Sequence, residues 1–357
     1  MNFEDRYGTL DRLLHRIAFS ADTAQHALAD VENTLYADEL PPVDAPVFIT
    51  SLPRSGTSIL LRVLCDTGHF ASHTYRDMPF ILCPMLWNQF SNRFHADDTA
   101  EERAHGDGLE VSADSPEAFE EVVWKHFWPE HYRDDHIRPW TSENHDAEFN
   151  SFFETHMRKV CALREENGEP RRYLSKNNLN IARLGAPPAP LQQGTVLIPF
   201  RDPVQQAASM SRQHERFLKI HDDDDFVQEY MEAIGHHEFG KGLRPVNFDN
   251  WLDDAPPPSE FSFWVQYWTT AYEHVLAHQH DNIVLLSYAH LTEEPDNALS
   301  GLAEIVEVSE DDLLPQAERL HPPRTHEVGT SAVPATLLKR ADDVYERLEQ
   351  AANITDP

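Results

Sequence analysis

The chain has 357 residues, 40% of them hydrophobic, which is enough for one large domain or two modest ones around a sizeable core. Its 61 acidic residues outnumber 29 basic ones, the net charge is −32, and only six of the basic residues are lysine. A surface of that sign repels polyanions, which disfavours general binding to nucleic acid or acidic membranes. The lysine-poor, aspartate-rich balance reads as adaptation to a high-salt cytoplasm, the other reading being a merely acidic protein.

Cys65, Cys83 and Cys161 have neither paired spacing nor a neighbouring His/Cys ligand set, so they read as buried thiols in a reducing compartment. The acidic MNFEDRYGTL start lacks an apolar stretch, and no run of eighteen apolar residues occurs, so a cytoplasmic location is expected.

In chain order, residues 3–37 carry Leu10, Leu13, Leu14, Ile17, Leu28, Val31 and Leu35 at helical spacing, one or two amphipathic helices. The stiff Pro41-Pro42-Val43-Asp44-Ala45-Pro46 connector leads into Val47 to Thr50, a buried-strand pattern. A tight loop, Leu52 to Ser58, then enters an apolar helix beginning near Ile59. The first N–H groups of a helix have no intrahelical partner and carry the positive end of its dipole, so this junction is an anion site. Gly56 lets the backbone approach a phosphate, and Ser55, Thr57 and Ser58 bring hydroxyls. It is not a Walker loop: Ser51 stands at the first glycine position, Thr57 stands where the lysine belongs, and the cation is Arg54.

Ala71 to Asp77 fits a second strand with its exit, which would bring Asp77 to the sheet edge where ligands of open α/β sheets bind. Residues 78–170 are a mixed, aromatic- and histidine-rich insert in which Ser115-Pro116-Glu117 forms a helix-start signal. No HxxxH or CxxC pair with a third ligand appears there, so no metal is expected. Arg172 to Ser175 is a short strand running into Lys176, and Thr195 to Phe200 is a buried strand ending in Arg201-Asp202-Pro203 with Ser209 two helical turns on. Asp222 to Asp225 read as a solvated run. Phe261 to His280 is a core-facing helix, Asn282 to Ser287 a further strand, and Arg324 lies in the tail segment HPPRTHEVG.

Pro53-Arg54-Ser55-Gly56-Thr57-Ser58 after a strand resembles the 5′-phosphosulfate loop of the sulfotransferase superfamily, enzymes that move a sulfuryl group from 3′-phosphoadenosine 5′-phosphosulfate (PAPS). The Arg201/Ser209 pair is similar to that superfamily's 3′-phosphate site, and an arginine fork with a hydroxyl suits a phosphate. The resemblance implies a P-loop NTPase-like α/β fold, a parallel sheet of about five strands flanked by helices. It further implies that Ser55, Gly56, Thr57 and Ser58 hold the 5′ end of the donor, with Arg54 and Lys176 at the bridging oxygen. Lys176 resembles the Lys-x-Pro segment of carbohydrate and protein sulfotransferases, although Asn177 and Asn178 replace the small residue and proline. Tyr288 would lie near the adenine, with a core tyrosine as the equal alternative, and Arg324 is a further candidate clamp on the 3′-phosphate. Asp77 is the first candidate for the general base, inferred from position, with His105, Asp107, Glu120, Glu121, His126 and His131 as rivals.

The expected organisation is a helical extension over 1–45, a sulfotransferase domain over 46–330 with an acceptor-capping insert at about 78–170, and a helical tail over 331–357. The expected activity is sulfuryl transfer from PAPS, without a metal, to a hydroxyl or amine of a small-molecule, glycan or lipid acceptor. A nucleotide kinase or NTPase, or a non-catalytic nucleotide-binding protein, are the alternatives. Composition leaves acceptor and oligomeric state open. If the acidity is an adaptation to salt, helicity by circular dichroism and activity should both rise as salt is added, and a chain that instead loses structure in molar salt overturns that reading.

Overall fold

The computed structural model describes residues 12, 15–16, 22–36, 38, 40–91, 101–102, 110–166, 168 and 171–352. Five short strands, β1 (Val47–Ile49), β2 (Phe70–Ala71), β3 (Arg172–Lys176), β4 (Thr195–Phe200) and β5 (Ile283–Ser287), form one sheet in the order β2-β3-β1-β4-β5. Every pairing is parallel. The longer helices are α1 (Asp22–Tyr36), α2 (Thr57–Cys65), α3 (Pro84–Ser91), α4 (Glu121–Phe127), α5 (Ala147–Leu163), α6 (Pro203–Asp223), α7 (Asp225–Ala233), α8 (Phe261–Ala277), α9 (Pro295–Ile305) and α10 (Ala335–Ala351).

The strands read as continuous apolar runs because the sheet is covered on both faces. Alternate residues point to opposite faces. Phe48, Val196, Ile198, Ile283 and Leu285 pack with α5, α6, α8 and α10 on one side, while Val47, Ile49, Leu197, Val284 and Leu286 meet α2 and α9 on the other. Ile49 is in register with Lys176 of β3 and Leu197 of β4, so β1 and β3 end side by side while β4 runs three residues further, and the loops that leave all three share one edge of the sheet.

Two local expectations change. The strand read over 71–77 is only Phe70–Ala71, because the Thr74 N–H donates to Asp77 Oδ2 (2.9 Å) and turns the chain into a 3-10 segment, Tyr75–Asp77. The helix signalled at Ser115 starts instead at Glu121. Residues before it are held extended, with the Glu117 N–H donating to the His73 carbonyl (2.9 Å) and Thr74 bridging Pro116. The aspartate run is solvated as expected, with Asp222, Asp223 and Asp225 exposed; within it Asp224 accepts the Phe226 N–H at the start of α7 and pairs with Arg12, while Asp222 meets Lys241. At the C-terminal end, α10 sends Ala341, Val344 and Leu348 into the main core against α8, so this helix is part of the packed body. Among the described residues, no helix is long and apolar enough to cross a membrane.

The docking of α1 depends on a charge pair out of water. Glu32 lies 2.9 Å from Lys159 of α5, both side chains almost fully buried, and its other oxygen accepts the Leu86 N–H (2.7 Å). Burial raises the Glu32 pKa while Lys159 pulls it back. Removing one partner of such a pair strands the other charge. Lys159→Met should therefore cost about 3–5 kcal/mol in urea unfolding, and Glu32→Leu/Lys159→Met should recover most of it.

Candidate active site

The loop between β1 and α2 turns on Gly56, whose φ of 105° lies in the left-handed region. A Cβ there would stand 2.3 Å from the Tyr288 ring, so the backbone approaches the aromatic face as only glycine allows. No side chain caps α2, which leaves the first N–H groups of the helix to a ligand. From below, the loop is tied to the sheet. Ser51 Oγ donates to the Pro199 carbonyl (2.7 Å) and stands 2.7 Å from the Tyr272 hydroxyl. Gln206 Nε2 donates to the carbonyls of Leu52 (3.3 Å) and Pro53 (3.1 Å), and its own oxygen accepts from Trp268 Nε1 (3.0 Å). Sequence reasoning missed Gln206; its signal is a polar residue on the buried face of α6, one turn after Asp202.

The second limb comes from β4. Arg201 follows the strand, Asp202 caps α6 by accepting the Gln205 N–H (2.8 Å), and Ser209 stands further along that helix. Arg54 Nε donates to Ser209 Oγ (3.1 Å), and Arg201 donates to the Arg54 carbonyl (2.9 Å). The two limbs that the sequence separates by about 145 positions are thus one surface. They line a cleft of about 630 Å³ with Gly56, Thr57, Ser58 and Tyr288.

Six arginines face that cleft, Arg54, Arg201, Arg212, Arg216, Arg319 and Arg324, with His321 and His326 and no carboxylate among the lining residues. Arg212 and Arg216 went unread in the sequence although they follow Ser209 at three and seven positions on one helix face. Burial lowers the Arg201 pKa, Tyr288 opposes that, and Arg54 adds to it. His326 is likewise lowered, by burial and then by Arg212, Arg201, Arg54 and Arg324. Like charges held together in this way favour a bound anion. Ser55 Oγ is buried without a hydrogen-bond partner among the described residues, an acceptor and donor left for a ligand.

Lys176 is the last residue of β3 and is buried beside the loop strand. The turn after it is fixed by a polar network. Asn177 Nδ2 donates to Glu121 Oε2 (2.7 Å) and Glu120 Oε1 (3.1 Å), and Asn178 Oδ1 accepts from Thr57 Oγ1 (3.3 Å). Arg183, fully buried between the Trp124 and Trp140 rings, pairs with Glu121 (2.8 Å). A second cleft of about 310 Å³ opens between the insert and the segments packed on it, lined by Met78, Pro79, Val122, Lys125 and Tyr132 of the insert with Gln25, Ala233 and Arg244.

Asp77 is buried, 2.6 Å from Arg164 and 3.2 Å from His73 Nδ1. Burial works against its charge, but Arg164, then His73 and the Thr74 N–H, hold its carboxyl well below the usual range. Among the rivals, Glu120 accepts from Trp124 Nε1 (2.9 Å), Tyr173, Asn177 and Asn180, and Glu121 from Arg183, Tyr132 and Asn177. His126 bonds His26 (2.6 Å), and His131 stacks on Trp140 with ring centroids 4.0 Å apart. His105 and Asp107 lie outside the described residues. No group of three or more His, Cys, Asp or Glu able to hold a metal occurs among the described residues.

A parallel sheet whose central strand ends in a glycine turn at an uncapped helix, with arginines converging on that turn, is an α/β architecture with the geometry and charge to receive a phosphate-like anion. The sulfotransferase family matches residues 46–240, and the chain belongs to that family, with its P-loop-like fold. Solved structures similar to it include a sulfotransferase from Mycobacterium avium (TM-score 0.45, 12% identity, covering 91% of this chain and 82% of that one). One from Mycobacterium tuberculosis H37Rv has a TM-score of 0.41 at 11% identity, covering 94% and 85%. The sulfotransferase domain of the curacin biosynthetic pathway has a TM-score of 0.36 at 14% identity, covering 89% and 93%. With TM-scores of this size the assignment rests on the family match, together with the sheet and loop. No curated protein matches the chain.

The Gly56 turn can be tested by itself. Gly56→Ala forces a Cβ into the Tyr288 ring at a left-handed φ, a strain of about 1–3 kcal/mol, and is expected to weaken anion binding measured calorimetrically far more than Ser58→Ala does.

Proposed function

We propose that this sulfotransferase uses PAPS as donor and transfers its sulfuryl group to a hydroxyl or amine, with a glycan or lipid headgroup among the candidate acceptors. The observation that carries the donor reading is the junction of Arg54, Arg201 and Ser209 above the uncapped start of α2. A donor with a sulfated 5′-phosphate and a separate 3′-phosphate needs two anion subsites side by side. The loop N–H groups with Ser55, Thr57 and Ser58 suit the first, and Arg201 with Ser209 suits the second. Tyr288, packed against Gly56 and 5.8 Å from the Arg201 guanidinium, offers an aromatic face at the nucleoside end.

The chemistry is mostly positioning and electrostatics. As sulfuryl leaves, negative charge gathers on the oxygen bridging to the 5′-phosphate, and a cation fixed there stabilises that charge more than the ground state. Arg54, set on the loop, and Lys176, at the end of β3, are the cations assigned to that oxygen. The absence of the Walker lysine from the loop, where Thr57 stands, argues against an NTPase. The division into an extension, a catalytic body and an acceptor-capping insert at about 78–170 is part of the same proposal, with the insert's cleft on the acceptor side.

Calorimetry with 3′-phosphoadenosine 5′-phosphate (PAP) against adenosine 5′-monophosphate tests the donor. Charge-assisted bonds of about 1.5–3 kcal/mol make the 3′-phosphate worth roughly ten- to a hundredfold in affinity or more, and Arg201→Ala should erase that difference. Equal affinity for the two nucleotides overturns the assignment. Arg54→Ala should abolish transfer while leaving the thermal midpoint nearly unchanged; a fully active variant removes its role.

A further inference from the structure

We propose that Glu238 is the general base that takes the acceptor's proton, an inference that rests on the sulfuryl-transfer reading above. Glu238 Oε1 accepts from Asn178 Nδ2 (3.2 Å), and the other end of the same carboxamide, Oδ1, accepts from Thr57 Oγ1 (3.3 Å). A carboxylate has no proton to give, so the amide must turn its NH2 to Glu238 and its oxygen to Thr57, which fixes its orientation. One side-chain amide therefore separates this carboxylate from the hydroxyl that lines the donor cleft.

The chain around Glu238 is held rigidly. Gly235 and Gly240 both have left-handed φ, 77° and 75°. A Cβ at the first would meet Glu121 Cγ at 2.5 Å, and one at the second would meet the His221 ring at 2.6 Å, so neither tolerates a side chain. Between them His236 Nε2 lies 2.8 Å from the Ala118 carbonyl, and the Gly240 N–H donates to His214 Nδ1 (3.1 Å). The arc holds Glu238 one side-chain amide, that of Asn178, away from Thr57 of the phosphate loop, while Ala233 and Arg244, farther along the chain on either side, border the cleft at the insert.

Its condition differs from that of the other carboxylates near this edge. Asp77 is closed off by Arg164, Glu121 by Arg183, and Glu120 by four donors. Glu238 is half-buried, forms no ion pair with a described residue, and its Oε2 accepts no hydrogen bond from one. A base must be fixed yet have an oxygen left for the incoming proton. In the step, the acceptor's O–H or N–H proton passes to Glu238 and the acceptor's lone pair forms the new bond to sulfur. The bond from sulfur to the 5′-phosphate oxygen breaks, its electron pair stays on that oxygen as PAP departs, and Glu238 then releases the proton to water.

The test compares wild type, Glu238→Gln and Glu238→Asp in single-turnover conversion of PAPS to PAP, with water alone and with phenols of graded acidity as acceptors. PAP binding is measured on each by calorimetry and folding by circular dichroism. The expected result is PAP affinity unchanged within about twofold in Glu238→Gln, with transfer to water and weakly acidic phenols down about 10²–10⁴-fold. The loss should shrink for p-nitrophenol, which ionises without help, and Glu238→Asp should recover part of the rate. Equal rates in wild type and Glu238→Gln, or a loss that is the same for every phenol, overturn the base role and leave the donor reading standing. So does a wild type that binds PAP yet converts no PAPS with any acceptor. A wild type that does not distinguish PAP from adenosine 5′-monophosphate overturns the donor reading itself, and the base role with it.

Discussion

The left-handed turn at Gly56 is the constraint on which the candidate site depends. It brings the chain off the central strand and into α2 without a capping side chain, so the helix N–H groups point at open space instead of at a serine or aspartate. The turn survives because it is wedged between Tyr288 above and Gln206 below. Gln206 satisfies two loop carbonyls that would otherwise be buried unpaired, and it is itself held by Trp268. Loop, β4 exit and α8 therefore form one unit: a change in any of them moves the turn that the other two hold.

Charge is distributed against the average of the molecule. A chain of net charge −32 gathers six arginines around one cleft and keeps carboxylates off its lining. Long-range attraction of the proposed polyanionic donor would be opposed by such a surface, and its capture would depend on short-range, partly buried contacts that salt screens less. Arginine suits that task better than lysine, since its fork pairs with two phosphate oxygens at once and it stays charged when water is withdrawn. Arg201 illustrates the balance: burial lowers its pKa, yet its reference value is high enough to leave it a cation.

Behind the site, the insert contributes a buried polar network rather than a plain apolar lid. Glu120, Glu121, Arg183, Asn177 and Asn180 lie almost wholly out of water. Desolvating so many polar groups is costly, and it is offset only when each has partners with good geometry. Each residue has hydrogen-bond partners, and the two tryptophan faces cover Arg183, whose Nε makes no hydrogen bond with a described residue. The effect is to lock the turn that follows Lys176, and through Asn178 to couple that turn to Thr57 and Glu238.

Much of the frame was legible in the sequence because it is local. Continuous apolar runs marked β1, β4 and β5 to within about a residue, and glycine with hydroxyls after a strand marked the anion loop, since strand periodicity and helix-start chemistry are properties of neighbours in the chain. The family likewise followed from that loop and the Arg201/Ser209 spacing. Where the chain turns on contacts made at a distance, the local signal failed: Thr74 with Asp77 ended a strand early, and the His73 carbonyl kept residues after Ser115 from becoming helix. Which carboxylates are locked and which is available was decided only by the fold, because Arg164, Arg183 and Asn178 reach Asp77, Glu121 and Glu238 across 87, 62 and 60 positions. Sequence determined the sheet and the anion loop; tertiary packing determined what surrounds them, since ion pairs and burial form between residues whose separation along the chain carries no periodic signal.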